Sequence, residues 1–520
     1  MKAIDTGNNE PITIWWIKRD FRLYDNEVLA EAINSGNSIL PLFVFEPNIM
    51  QSSDFSAMHL YAQISASSDL RLRLQAIGGD IMFDTAEITQ VLISLSEKFV
   101  IQRVISHEET GNDVSYTRDK RLAKYLKENQ IEWVELPQNA VIRRLKTRNH
   151  RQPIIKARLF NTTPIPAPKN IPQSKNLKEF AASTMLPNVG DFFSKESTAN
   201  IQFEQLQAVS ESAAQQCLRS FLEVRGKGYS GGISSPNTAF KHGSRLSPHI
   251  AWGTISLRTI FDETEKQYKA IPDKQFSKQQ IKQWQRSLRA FQSRLHWHCH
   301  FIQRLESAPS MEFEPLNSAY RTIQYEDSGE LLAAWCAGKT GFPLVDACMR
   351  CLNAIGFVNF RMRAFVVSFA VFGLHLDWRT IHPHLARIFY DYEPGIHLSQ
   401  LQMQAGIVGI NTIRVYSPTK QLMEQDPQCQ FVKQWIPELQ AFAVQDIQSY
   451  ESWPLEGYPR PIIDFNQRSK SMKDQVFAIR KSESGRVQSK KVLKLHGSKK
   501  SIGKKKSTQK EENHPQLDLF

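Results

Sequence analysis

The sequence predicts an α/β N-terminal domain, built on a five-stranded parallel doubly wound sheet, followed by a large all-α domain. In the first 140 residues, short apolar runs of strand length alternate with amphipathic stretches of helical length. This alternation is typical of parallel strands joined by crossover helices. Between about residues 205 and 455 the apolar positions recur at three- and four-residue spacing, which predicts helices throughout that half.

Five apolar runs are the expected strands of the sheet, and the stretches between them are the expected crossover helices. A doubly wound sheet binds its ligands at the carboxyl ends of its strands, so a ligand site is expected in the loops that follow them. Residues 26–35 and the polar stretch 114–128 have helical character. The expected strands are ITIWWI (12–17), ILPLFVF (39–45), DIMF (80–83), RVISH (103–107) and IEWVEL (131–136).

Composition divides the chain into four expected segments. The stretch that contains TTPIPAPKNIPQSKN is rich in proline and polar residues, and we interpret it as a long linker. The last segment lacks aromatic residues apart from Phe477 and Phe520. It is expected to be disordered because it cannot bury enough apolar surface to offset chain entropy. The segments are the α/β domain (11–140), the linker (141–204), the helical domain (205–460) and the tail (466–520).

The net charge of +13 is concentrated at one end of the chain. Residues 466–520 carry 15 lysines and arginines against 5 acidic residues, whereas all other residues carry 50 against 47. A nucleic-acid site on the body of the protein would therefore be a local patch. The tail charge either attracts DNA non-specifically or only keeps the tail solvated.

The expected location is the cytoplasm. The first residues show no signal-peptide pattern, and no run of about 18 apolar residues predicts a membrane span. The six cysteines are scattered too sparsely for a disulfide framework. A protein of a reducing compartment that does not enter a membrane is therefore expected.

Cys348 and Cys351 form a C-x-x-C pair, a spacing used in thiol redox chemistry and in metal binding. A helix is predicted between Pro343 and Gly356, and both thiols fall on its apolar stripe. No second pair completes a four-ligand metal site. We interpret both as small apolar residues, with a thiol redox enzyme as the alternative. The stripe consists of Leu344, Cys348, Cys351, Leu352 and Ile355.

Six segments, taken together and in this order, resemble the photolyase/cryptochrome flavoproteins. They are WWIKRDFRLYDNEVLAEA (15–32), GSRLSPHIAWGTIS (243–256), WCAGKTGFPLVDACMRCLNAIGFVNFRMR (335–363), HLDWR (375–379), IRVYSPTKQ (413–421) and FVKQWIPEL (431–439). The resemblance implies an FAD cofactor, damaged DNA as the partner and a monomer that splits pyrimidine dimers by light-driven electron transfer from reduced FAD. The lesion type stays open, and the alternative is a blue-light photoreceptor without repair activity.

The FAD site implied by the resemblance centres on GSRLSP. Its hydroxyls, backbone N–H groups and guanidinium suit a pyrophosphate, although an ordinary helix cap uses similar residues. By family position Arg363 lies near the flavin and pairs with Asp391, and a cation there stabilises an anionic reduced flavin. The residues expected to bind FAD are Tyr229, Gly243, Ser244, Arg245, Leu246, Ser247, Asn359, Arg363 and Asp391.

RLHWHCHF (294–301) resembles the helix that meets the lesion in this family. Trp297 is expected to stack on the flipped-out damaged bases, although a tryptophan in an amphipathic helix is more often a core residue. Successive histidines of this segment lie two residues apart, on different sides of a helix, so no shared metal ion is expected. The residues expected to contact DNA are Arg294, which replaces a glutamate of many relatives, Trp297, Arg361 and Arg414.

Residues 390–416 contain no tryptophan, although many family members carry the tryptophan nearest the flavin in this segment. The resemblance is therefore to a divergent prokaryotic branch without the usual proximal electron donor. Trp378 matches the family's middle donor and Tyr325 the outer one. Tyr390 and Tyr392 offer another route.

Two further binding sites are implied. Glu108 and Glu109 follow the fourth strand, where relatives bind an antenna chromophore of folate or lumazine type; exposed loop carboxylates are the alternative. The chain ends in QLDLF, which looks like the pentapeptide that docks bacterial proteins on the replication sliding clamp; a chance hydrophobic terminus is the alternative. The docking residues would be Gln516, Leu517, Asp518, Leu519 and Phe520.

Overall fold

A computed structural model of the protein describes residues 11–145, 151–273 and 275–497. All five predicted strands are present and pair in parallel, which confirms the doubly wound sheet. The strands are β1 (Pro11–Trp16), β2 (Ser38–Val44), β3 (Met82–Asp84), β4 (Val100–His107) and β5 (Glu132–Leu136). Their order across the sheet is β3-β2-β1-β4-β5. The order reverses between β1 and β4, so the switch point lies where the loops after these strands meet.

Crossover helices pack on both faces of the sheet. Alternate residues of β1 point to opposite faces: Trp15 belongs to one apolar cluster with residues of α1 and α3, and Trp16 to another with residues of α4 and α5. The helices of this domain are α1 (Glu27–Asn34), α2 (Pro47–Met50), α3 (Ala57–Ala76), α4 (Ile88–Ser96) and α5 (Asp113–Glu128).

From about residue 205 to 455 the described chain is helical, as predicted. The linker region contains three short helices, α6 (Arg151–Leu159), α7 (Lys175–Ala182) and α8 (Lys195–Thr198). The helical domain contains α9 (Glu211–Glu223), α10 (Tyr229–Gly232), α11 (Pro236–His242), α12 (Ser247–Ala251), α13 (Leu257–Ala270), α14 (Lys278–Ser307), α15 (Gly329–Ala337), α16 (Pro343–Ile355), α17 (Phe360–Ser368), α18 (Trp378–Ile388), α19 (Pro394–Gln404), α20 (Pro418–Gln425), α21 (Gln430–Trp435) and α22 (Val444–Gln448). Across these described ranges, no single helix is long and apolar enough for a membrane span, although the bent pair Pro343–Ile355 and Phe360–Gly373, at 119°, passes by length and composition.

The loop after β1 holds the two domains together. Arg258 of α13 binds Asp25 with 2.5 Å between Nη2 and Oδ1, and Arg22 donates to the Gly253 carbonyl oxygen at 2.9 Å. The backbones also approach closely, since a Cβ on Gly253 would lie 1.7 Å from the Arg19 carbonyl oxygen. Gly253 has a φ of +70°, so both conformation and space require glycine.

Cys348 and Cys351 lie on the buried side of α16, as the stripe predicts. Both are fully buried and form no disulfide. Burial raises the pKa of each thiol well above its usual value, and the Cys351 thiol donates to the Phe357 carbonyl oxygen at 3.3 Å. Protonated, enclosed thiols are poor nucleophiles, which favours the structural interpretation. Across the described residues, no group of three or more His, Cys, Asp or Glu side chains is placed to hold a metal ion.

The expectation of a disordered tail from residue 466 is wrong for its first thirty or so residues. They form α23 (Phe465–Lys481) and α24 (Glu483–His496), and the buried Phe465, Met472 and Val476 join the main core of the helical domain. Met472 follows Phe465 by seven residues and Val476 follows Met472 by four, which places all three on one side of α23. These apolar residues are few, but they pack on an apolar surface that the other helices of the domain provide. The QLDLF segment lies outside the described residues.

We expect Met472→Ala to lower the free energy of unfolding by about 2–4 kcal/mol, because it deletes a fully buried side chain from a packed core. The measurement is urea denaturation followed by tryptophan fluorescence. Lys473→Ala is the matched control on the same helix, since Lys473 is exposed and its removal is expected to change stability by less than about 0.5 kcal/mol. Equal, small effects of both variants would mean that α23 does not pack on the domain.

Candidate active-site cavity

A cavity of about 420 Å³ opens among α10–α12, α14, α17 and α19. Its volume falls within the range of about 300–1,000 Å³ that is typical of ligand sites. Eight of the nine residues expected to bind FAD line it, and so do three of the four expected to contact DNA. They are Tyr229, Gly243, Ser244, Arg245, Ser247, Asn359, Arg363 and Asp391, with Arg294, Trp297 and Arg361.

The turn that precedes α12 is fixed by hydrogen bonds that other side chains donate to its carbonyl oxygens. Arg225 donates to the carbonyl oxygens of Gly243 and Ser244, and the Gln207 amide donates to the Arg245 carbonyl oxygen at 2.7 Å. Arg245 has a φ of +61°, a conformation that non-glycine residues adopt rarely and mostly at constrained sites. The turn is therefore fixed before any ligand arrives.

Arg245 forms no ion pair with a carboxylate within the described residues, and Asp391 acts on its charge only from beyond ion-pair distance. Its Nε donates to Gln207 Oε1 at 3.0 Å, and its guanidinium carbon lies 4.1 Å from the centre of the Phe357 ring. Burial lowers the pKa of Arg245 to about 10, so the group is still cationic at neutral pH. A buried cation held over an aromatic ring, with hydroxyl groups in the same turn, provides a site for an anion.

Asn359 has an unused acceptor in the cavity wall. Its Nδ2 donates to the carbonyl oxygens of Ile233 at 3.0 Å and Ser234 at 2.7 Å. Its Oδ1 is buried and has no hydrogen-bond partner in the described part of the chain. Because an unsatisfied buried carbonyl is costly, this atom is suited to accept a hydrogen bond from a ligand.

Arg363 and Asp391 form the predicted pair, which joins α17 to the segment before α19. The contact is bidentate, with Nη1–Oδ1 at 2.7 Å and Nη2–Oδ2 at 3.1 Å. Burial alone would raise the pKa of Asp391, but Arg363 and a hydrogen bond from Ser247 outweigh it and lower this pKa below its usual value. The pair thus stays charged inside the cavity.

The opposite wall is aromatic and basic. Trp297 is half-buried and stacks on Phe301, with 5.6 Å between ring centres and 27° between planes. Arg294 lies over the Tyr229 ring at 5.6 Å. The buried Nε of Arg361 has no partner among the described residues. This wall offers a flat apolar surface beside cations.

His397, Tyr392 and Glu393 also line the cavity, and the sequence interpretation assigned none of them to the flavin site. His397 is buried, its Nε2 has no partner within the described ranges, and burial lowers its pKa well below the usual value. The available signal was polar residues at helical spacing along an otherwise buried α19, where Glu393, His397, Gln400 and Gln404 all face the cavity.

Glu393 and Tyr392 connect this cavity to the α/β domain. Arg19 donates to the Tyr392 carbonyl oxygen and to Glu393 Oε2, both at 3.2 Å. Burial raises the pKa of Glu393 to about 7, although Arg19 works in the other direction. The Tyr392 hydroxyl donates to Asp54 Oδ2 at 2.6 Å, so its side chain spans the interface.

Four of the expected site residues are not part of the cavity wall. Leu246 is buried in the apolar cluster behind the turn, and Arg414 lies in the loop between α19 and α20. Trp378 is fully buried in the main helical core, where Tyr325 packs against that core. The proposed electron donors are therefore separated from the cavity by other side chains.

Glu108 and Glu109 lie at the switch point of the sheet, but Glu109 is not an exposed carboxylate. It binds Arg118 at 2.5 Å and lies 3.9 Å from Lys18. Burial alone would raise its pKa, but Arg118 and Lys18 lower it to about 2. Two cavities of about 70 and 30 Å³ adjoin these carboxylates, well below the about 300 Å³ of a small ligand site. The buried ion pairs occupy much of the space, and the antenna role stays a prediction.

Two family models of DNA photolyases match separate parts of this chain. Residues 13–161 match the family model described as DNA photolyase, and residues 291–478 match the FAD binding domain of DNA photolyase. A deoxyribodipyrimidine photo-lyase of Synechococcus sp. is 25% identical over 88% of this chain and 95% of its own length. Two crystal structures share the fold at 21% identity: a class III photolyase from Agrobacterium tumefaciens (TM-score 0.76, 93% of this chain and 100% of that one) and a cryptochrome from Synechocystis sp. (TM-score 0.77, 90% and 99%).

We expect Arg363→Met to lower the free energy of unfolding by about 3–5 kcal/mol, because it leaves the Asp391 carboxylate buried without its partner. The double variant Arg363→Met/Asp391→Asn should recover part of this loss. Urea denaturation of the three proteins measures both effects. Arg379→Met, which breaks the more exposed pair with Asp377, is the control and is expected to cost less than about 1 kcal/mol. A double variant no more stable than Arg363→Met would contradict the assignment.

Proposed function

Because this chain belongs to the photolyase/cryptochrome family and contains its FAD-binding domain, we propose that it binds FAD in the 420 Å³ cavity and repairs pyrimidine dimers in DNA with light. The observation that carries the proposal is that one cavity brings together an anion-binding turn, a buried ion pair and an aromatic wall. The relatives are about 25% identical, and their names include both photolyases and cryptochromes, so the activity itself is the proposal.

The residues present fit a flavin dinucleotide. Arg245 offers a cation without an ion-pair partner in the described chain, and Ser244 offers a hydroxyl in the same turn, which suits a diphosphate. The Ser247 hydroxyl is held by Asp391. Asn359 Oδ1 and His397 Nε2 are buried acceptors without partners among the described residues, which suits the polar edge of a heteroaromatic ring. These orphaned atoms cost free energy until a ligand satisfies them.

The protein's own contribution is to position the ligand, to balance its charge and to exclude water. When bound in this cavity, reduced FAD would supply the light-excited electron for splitting the dimer. Arg363 places positive charge in the cavity, where it stabilises an anionic ligand, and Asp391 fixes the orientation of that guanidinium. Trp297 and Phe301 provide the surface on which flipped bases stack. The apolar residues between these groups keep water out of the contact.

The electron route to the flavin stays a proposal. Trp378 and Tyr325 are retained as family-based donors, but Tyr392, the alternative route, lies at the cavity wall, as do Tyr229 and Trp297. The Tyr392 ring stacks on His59 with 5.7 Å between centres. Comparing Tyr392→Phe with Trp378→Phe for light-dependent bleaching of the flavin absorbance would show which residue supplies the electron.

The second candidate function is a light sensor without repair activity. It is favoured by the path from the cavity through Tyr392 to Asp54 of the α/β domain, because such a path lets a change at the cavity alter the domain interface. The fold is equally similar to a cryptochrome. The two functions differ in their effect on DNA rather than in cofactor.

The decisive experiment is to purify the protein, record its absorption spectrum for flavin and measure light-dependent loss of thymine dimers in an oligonucleotide. We expect bound FAD and dimer loss in the light but not in the dark. Bound FAD without loss of cyclobutane or 6-4 dimers would favour the sensor. Absence of flavin after reconstitution with FAD would exclude both.

We expect Trp297→Ala to weaken binding of dimer-containing DNA by at least about five-fold, because stacking of a base on an aromatic ring is worth about 1–3 kcal/mol, and to leave the FAD content unchanged. Fluorescence anisotropy measures the affinity. Trp453→Ala is the control, since Trp453 is 70% exposed and does not line the cavity. Equal affinities for both variants would show that Trp297 is only a packing residue.

A further inference from the structure

Helix α24 lies beyond residue 478, where the match to the FAD-binding family model ends, yet it packs against the wall of the cavity. Val492 of α24 forms an apolar cluster with Phe301, Met403 and Val408, and Trp297 and Ile396 pack on that cluster. Phe301, Trp297 and Ile396 also line the cavity. The helix is therefore one layer of side chains away from the surface on which flipped bases would stack.

The position of α24 is fixed by close contacts. Asn317 donates to Ser489 Oγ at 3.1 Å. A Cβ on Gly409 would lie 2.4 Å from Ser489 Oγ and 2.3 Å from Asn317 Nδ2, and Gly409 has a φ of +82°. In α23, Arg480 donates to the Asn411 carbonyl oxygen at 2.8 Å. The helix is thus locked to the loop that follows α19.

The outer surface of α24 carries a basic stripe, defined here as Arg486, Lys490 and Lys494. These residues recur every four positions and therefore share one helix face, whereas the buried Gly485, Val492 and His496 lie on another. All three are exposed, and none forms an ion pair with a described residue. Glu483, the one acidic residue of this helix, lies one turn before Arg486 on the same face, but no ion pair joins it to the stripe in the described chain.

We propose that the basic stripe binds the phosphate backbone of DNA beside the lesion. The inference rests on the proposed function, because it takes the partner to be the DNA whose damaged bases enter the cavity. A row of cations on a rigid helix complements a regularly spaced row of phosphates. A disordered tail would supply only diffuse attraction, whereas α24 holds its cations on a helix whose buried side packs on the cluster that Trp297 joins.

The test compares the full-length protein with Arg486→Gln/Lys490→Gln/Lys494→Gln, using duplexes with and without a thymine dimer over a range of salt concentrations. The matched control is Arg121→Gln/Lys124→Gln/Lys127→Gln, which removes three exposed charges from α5 of the α/β domain. Each lost phosphate contact is expected to reduce the slope of log affinity against log salt by about 0.9. The stripe variant should therefore lose about two to three units of slope and at least ten-fold in affinity, with no change in FAD content.

A second arm locates the contact on the DNA. Duplexes with single neutral methylphosphonate linkages, scanned outward from the dimer, should bind the unaltered protein more weakly at two or three positions. At those positions the stripe variant should show no further loss. An unchanged salt slope, a loss equal to that of the α5 control, or undiminished sensitivity to every methylphosphonate would overturn the proposal.

The outcomes also separate this inference from the proposed function. If the unaltered protein binds FAD and repairs dimers but the stripe variant matches it in affinity and slope, the inference alone fails. If the unaltered protein has no affinity for DNA, both fail. Vesicles of anionic phosphatidylglycerol form the last arm: binding to them that depends on the stripe, together with unchanged DNA affinity, would assign the stripe to a membrane surface and overturn the proposal.

Discussion

The docking of the loop after β1 onto the helical domain is the constraint on which the rest of the structure depends. The buried contact of Asp25 with Arg258 and the close approach of Gly253 to the Arg19 carbonyl oxygen fix the two domains against each other. Arg19 then holds the segment that begins α19. Because Asp391 belongs to that segment, the geometry of the cavity is set in part by a loop of the other domain.

Within the cavity, charge is retained where burial opposes it. Burying a guanidinium and a carboxylate costs several kcal/mol per ion unless the two are paired with good geometry, and Arg363 and Asp391 meet that requirement with two hydrogen bonds. Arg245 has no such partner in the described chain; it lies over the Phe240 and Phe357 rings and donates to the Gln207 amide. Asp391 thus fixes the orientation of Arg363, whereas Arg245 forms no ion pair in the described chain and is the more available of the two cations to an anionic ligand.

Much of this arrangement could be predicted from the sequence, because local signals agree with the fold. The alternation of strand-length and helix-length runs locates every strand, and the stripe through Cys348 and Cys351 identifies their burial. The shared location of the motif GSRLSP and the pair Arg363–Asp391 could be predicted because both match a recognisable family pattern. His397 was missed because the polar residues at helical spacing in α19 show that one face is polar, but not that this face lines a cavity. The folding of α23 was missed because composition does not reveal the apolar surface on which it packs. Three well-spaced apolar residues are enough to dock the helix on that surface.

The neighbouring residues Tyr392 and Glu393 each face two cavities, since both line the large cavity while Tyr392 also borders the 70 Å³ cavity and Glu393 the 30 Å³ cavity. The wall between these spaces is thus one side chain thick. With a pKa of about 7, Glu393 is partly protonated at neutral pH. Thermodynamic linkage is reciprocal: if ligands on the two sides both change the proton occupancy of Glu393, each changes the binding free energy of the other by the same amount. The two halves of the molecule therefore share a titratable group as well as an interface.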